Sequence, residues 1–259
     1  MVTLKNKNII YKILVVLVVI PIFAIFIQSV ILRYDYKSIL PDVISIDNFK
    51  KFFTANYFKL LLSSILISII SAIITIIISL PIANILPNVS MNHRTTLYVI
   101  FLTPILVPQF VYFYGIQNVF AKTGIINTHL GVILSHVIVM MPYAIINLSN
   151  DIVLYGKKYE EVAFVMGVSD YKLYKDIMLP LIKGTLINTL GLLFIISFSQ
   201  YFITLMIGGG VVKTYATYIF PLILGNDRNF AAKATFIYIA INIIIYIIFV
   251  NSKREVTDE

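Results

Sequence analysis

Three groups of residues in this chain have types and spacings that could support chemistry. The first is Gly208-Gly-Gly-Val-Val-Lys213-Thr214, which has the ingredients of a phosphate-binding loop. That loop requires G-x-x-x-x-G-K-[S/T], so that backbone amides cradle the phosphates and the lysine reaches them. Here Val212 precedes the lysine, the first-glycine spacing is absent, and no long soluble α/β segment exists to hold the loop. The stretch reads instead as a turn. The second group is His93, His129 and His136, whose separations match no metal-ligand spacing. With no cysteine in the chain, disulfides and thiolate sites are excluded. The third group is Ser197, Gln200 and Thr204, polar residues at i, i+3 and i+7, with Tyr201 beside them. They share one helical face, which either bonds to a neighbouring helix or borders a polar passage. Nothing in the chain resembles the clustered acids or nucleophile–base pair of a membrane-embedded enzyme.

The elements that carry these residues are set by hydrophobicity. The chain is 59% hydrophobic and 12% charged, against about 45–50% apolar in ordinary soluble domains. The excess points to an all-α integral membrane protein. A span needs about 20 mostly apolar residues, and six runs qualify, at 10–31, 57–86, 96–120, 129–150, 181–207 and 233–250. Together they form a single transmembrane domain over 1–259. The first run is longer than a signal-peptide core and lacks small residues of A-x-A type after it, so it reads as an uncleaved span. Lys12, Lys59, Lys183 and Lys233 fall near span ends, from which their side chains can reach the headgroups. Pro104 and Pro108 are expected to kink the third span, and Pro142 the fourth. His136 lies deep in the fourth, where a lone histidine is more often a hydrogen-bonded structural group than a proton relay. Between spans one and two, Ser45 is read as the cap of a short surface helix over 47–53.

Six spans place both termini on one side. Taking that side as cytoplasmic gives it 11 of the 20 Lys and Arg residues, a bias in the direction of the positive-inside rule. The net charge of +8 is scattered over loops and helix ends without a basic face. It suits anionic membrane lipid rather than nucleic acid.

One segment breaks the apolar pattern. From Lys157 to Asp176, eight of twenty residues are charged. Lys158–Met166 has helix-forming composition, with Val162, Val165 and Met166 at i, i+3 and i+4. Gly167 suits a positive φ that ends a helix. Ser169 suits the cap of a second helix carrying Leu173, Ile177 and Leu181 at i, i+4 and i+8, and Pro180 leads into the fifth span. The expectation is a helix pair at the membrane surface between spans four and five.

This segment resembles the coupling loop of binding-protein-dependent ABC transporter permeases. Their pattern is E-A-A, three residues, G, nine residues, I-x-L-P. The chain has Glu161-Val-Ala163, then Gly167, then Ile177-Met-Leu179-Pro180. Val162 in place of the first alanine is the one departure, and its larger β-branched side chain alters local packing. The resemblance implies that Glu161, Ala163, Gly167, Ile177, Leu179 and Pro180, with Val165 and Met166 as neighbours, contact a cytoplasmic ATPase. It also implies two ATP-binding cassette subunits, a second permease and an extracellular or periplasmic solute-binding protein. ATP and Mg would then bind on the partner subunits, with no cofactor and no enzyme site in this chain. Ser199–Gly210 followed by Lys213-Thr214 is similar to permeases of the polyamine, phosphonate, thiamine and iron importers, which implies import of a small polar or charged solute. The alternative is an ion-coupled secondary transporter. Against it stands the lack of a carboxylate within any of the six runs.

Overall fold

The computed structural model describes residues 4–33, 43–44, 49–50, 52, 54–225 and 227–257. Eleven α-helices are assigned among them: α1 Leu4–Val30, α2 Ala55–Ile85, α3 Met91–Leu106, α4 Gln109–Lys122, α5 His129–Val165, α6 Asp170–Lys172, α7 Leu179–Leu181, α8 Lys183–Phe198, α9 Phe202–Gly208, α10 Tyr215–Leu224 and α11 Arg228–Thr257. A small antiparallel ladder of β1 (Ile31–Arg33) and β2 (Val43–Ile44) pairs Ile31 with Ile44 and Arg33 with Val43. The class is all-α, as composition predicts. Among the described residues four helices are long and apolar enough to cross a membrane, and two bent helix pairs bring the number to six if each pair is one span. The Ser45 cap and its short helix lie largely outside the described residues.

The chain divides into two compact units, Met1–Lys59 with Tyr218–Ile241, and Leu60–Thr217 with Asn242–Glu259. The first is bound together largely by aromatic rings. Phe52 stacks on Phe230 at 4.8 Å between centroids, and Tyr57 meets Tyr218 with their hydroxyls 2.6 Å apart. Lys233, expected to reach the headgroups, is instead buried. Its helix starts five residues earlier, at Arg228, which draws Lys233 into the packed stretch of Ala231, Ala232 and Ala234.

The second unit inverts the usual arrangement of a soluble helix. On α2 the buried face is Ser64, Ser68, Ser71, Ala72, Thr75, Ser79 and Ala83, with Ile67 the one large apolar side chain among them, while Leu62, Leu66, Ile69, Ile73 and Ile77 point outward. Lipid tails are as apolar as isoleucine, so burying isoleucine between helices contributes little there. Small residues instead let backbones approach closely. Ala72 packs with Met140 and Ala144 of α5 and Leu193 of α8.

Proline does not act uniformly. Pro104 and Pro142 lie inside continuous helices. The expected third span, by contrast, is broken: α3 and α4 meet at 99°. Val107 is extended, with φ −89° and ψ 137°, because the ring of Pro108 disfavours helical geometry in the residue before it. The fifth span is also interrupted. Ser199–Tyr201 lie between α8 and α9, outside both helices.

Candidate functional site

The charged segment is an extension of the fourth span. α5 runs unbroken for 37 residues, from His129 to Val165, about 56 Å at 1.5 Å per residue. The first helix of the expected pair is therefore the end of a membrane helix. It terminates as the sequence predicts. Gly167 has φ +64°, and the Val168 amide donates to the Ala163 carbonyl at 2.9 Å, the long return bond of a Schellman cap. Within this chain nothing stands within 4 Å of where a Cβ on Gly167 would lie, so the glycine's role in the fold of the chain itself is its backbone conformation. Ser169 occupies the cap position of α6 without a side-chain capping bond.

Beyond Ser169 the register shifts. Leu173–Met178 is a π-helix, whose wider turn replaces the i, i+4 spacing expected of Leu173 and Ile177. Leu173, Met178 and Ile182 become the buried side chains, joining Ala163, Leu148 and Ile152 of α5 and Ala83 of α2. Ile177 and Leu179 are half-buried and Pro180 is exposed. Ala163 is 4% exposed, whereas Val165 is 84% exposed, Met166 73% and Tyr171 72%. The segment thus has an apolar inner face seated on the bundle and a second apolar group turned outward. Glu161 belongs to the same turn of α5, and its side chain lies outside the described residues.

Asp151, one residue past the expected end of the fourth span, is a further polar link. Its carboxylate accepts a hydrogen bond from the Thr185 hydroxyl, tying α5 to the first turn of α8. Sequence reading missed this pair. The available signal was an acid just beyond one apolar run, with a hydroxyl just inside the next.

The Ser197–Thr204 face separates into two kinds of residue. Ser197 is 2% exposed and Thr204 fully buried, and both bond to His136. They hold helices together within this chain. Gln200 and Tyr201, at the break, are half-buried. The end of α9, which leads into the Gly208–Thr214 turn, is held by two bonds: Gln117 Nε2 donates to the Met206 carbonyl at 3.1 Å, and the Asn127 backbone amide to the Ile207 carbonyl at 2.8 Å. His93 bonds locally to Ser90. Among the described residues no group of three or more His, Asp or Glu side chains could hold a metal ion.

The family model for the inner membrane component of binding-protein-dependent transport systems matches residues 64–258. The chain belongs to this family, the permeases of ABC importers. Two solved structures share the permease's fold. One is described as a bacterial ABC transporter involved in the import of the acidic polysaccharide alginate, with 16% identity over 98% of this chain and 97% of that one, and a TM-score of 0.74. The other is the bacterial alginate ABC transporter in complex with alginate pentasaccharide-bound periplasmic protein, with 16% identity, 98% and 96% coverage, and a TM-score of 0.69. No curated protein matches the permease sequence. The matched region contains both the 157–180 segment and the break at Ser199–Tyr201.

Proposed function

We propose that this permease is the pore-forming subunit of an ATP-driven importer and that the 157–180 segment is where ATP energy enters it. The observation that supports this most is the two-sidedness of that segment. Ala163, Leu173 and Met178 anchor it to the bundle, while Val165, Met166 and Tyr171 stay outside. Exposed apolar anchors beside charges make a specific interface with another protein. The partner is an ATP-binding cassette subunit, one for each of two permeases, carrying ATP and Mg. Both termini then face the cytoplasm, and a solute-binding protein delivers cargo from the opposite side. α5 joins the docking segment to the bundle without a break, and the Asp151–Thr185 pair carries its movement into α8.

The cargo is a small polar or charged solute, of the polyamine, phosphonate, thiamine-like or iron class, and Gln200 and Tyr201 are the candidate residues on its path. The test is uptake by the complete transporter in proteoliposomes. Replacing Met166 with aspartate should leave the permease inserted but abolish ATP-dependent uptake. Normal uptake by that variant would refute the docking assignment. A panel of radiolabelled solutes against the cognate binding protein tests the cargo class.

A further inference from the structure

Both ring nitrogens of His136 are engaged, on opposite sides of one helix break. Nδ1 lies 2.8 Å from Ser197 Oγ on α8, and Nε2 lies 2.9 Å from Thr204 Oγ1 on α9. The Thr204 hydroxyl donates its only hydrogen to the Gln200 carbonyl at 2.6 Å. Nε2 must therefore donate to Thr204, and in the neutral ring Nδ1 accepts from Ser197. The result is a directed chain from Ser197 through His136 and Thr204 to the backbone of Gln200, a residue of the break itself. His136, Ser197 and Thr204 are each no more than 2% exposed, so water does not compete for these bonds and low polarity strengthens them. A planar ring with two opposed nitrogens holds two hydroxyls at a fixed separation, which a flexible side chain does not.

His136 also stands on α5, 27 residues before Ala163, about 40 Å along the helix. We propose that His136 is a positioning residue for transport, pinning both halves of the broken fifth span to the helix that ends in the docking segment, so that displacement of that segment is delivered to Gln200 and Tyr201. This rests on the docking role proposed above for residues 157–180.

The test uses the absence of native cysteine. Gln200→Cys keeps the carbonyl that Thr204 bonds and reports on the break. In the complete transporter in proteoliposomes, maleimide labelling of position 200 is followed with and without Mg-ATP and vanadate, and uptake per ATP hydrolysed is measured separately in chains that keep Gln200. We expect nucleotide-dependent labelling with His136 present. In His136→Phe that dependence should be lost and uptake per ATP should fall about tenfold, within the usual range for a coupling link. If His136→Phe does not insert, Ser197→Ala and Thr204→Val each remove one arm and carry the same comparison. Unchanged labelling and unchanged uptake per ATP, even with less assembled protein, would overturn the proposal by making the histidine merely structural. Gly167→Val in the same assay separates the two readings. Normal coupling there removes the docking role, whereas uncoupling there with intact coupling in His136→Phe removes the pin alone.

Discussion

The Val168 amide donates to the Ala163 carbonyl at 2.9 Å across Gly167, and this bond closes the 37-residue helix that carries the fourth span into the 157–180 segment. The geometry exists because Gly167 takes φ +64°. An L-residue in that conformation costs about 1–2 kcal/mol, with asparagine the cheapest alternative. We expect Gly167→Val to reduce transport strongly, Gly167→Ala less, and Gly167→Asn least, in the order of their left-handed cost. ATP-driven uptake normalised to inserted protein checks the ranking. Equal activity in all three would show that the cap is unimportant.

Val165 and Met166 predict a separation of stability from function. Both are exposed, and substitutions at such sites usually change stability by no more than about 0.5 kcal/mol. Val165→Asp and Met166→Asp should therefore leave the melting temperature in detergent near wild type while weakening ATPase binding. Co-purification with the ATPase, measured beside thermal melting, distinguishes the two effects.

Ala163 predicts the opposite. It is buried against Leu173 and Met178, and added methylenes in a packed core cost about 1–3 kcal/mol. Ala163→Leu should lower the melting temperature before any partner is added. An unaltered melt would mean that the inner face is loosely seated.

Gly209 is constrained twice. Its φ is +53°, and a Cβ there would overlap the Asn127 side-chain amide. Gly209→Ala should destabilise the turn after α9, and Asn127→Gly in the same chain should restore part of the loss by removing the overlap. Non-additivity of roughly 0.5–3 kcal/mol in a double-mutant cycle is expected for residues in contact. Simple additivity would refute the packing relationship.

Asp151 and Thr185 supply a fifth prediction. Hydrogen bonds to a charged group contribute about 1.5–3 kcal/mol. Thr185→Val should destabilise by an amount in that range. Asp151→Asn, which keeps an acceptor oxygen, should be milder than Asp151→Leu. Chemical denaturation of the purified permease in mild detergent measures the order.

Hydropathy alone determined the all-α membrane class, because a bilayer demands long apolar runs whatever they pack against. The spacing from Glu161 to Pro180 alone carried the family resemblance, and Gly167 alone marked the turn, because that geometry is local. Tertiary structure decided the rest. The sequence does not say which proline is absorbed, as Pro104 and Pro142 are, and which stands at a break in a span, as Pro108 does. The π-helical register that buries Met178 rather than Ile177 follows from packing against α5 and α2. Ser197 and Thr204 share a helical face with Gln200 in the sequence, but that periodicity cannot show what lies opposite. His136, 61 residues from Ser197 and 68 from Thr204, turns two of those polar groups inward, and only the folded chain brings the three together.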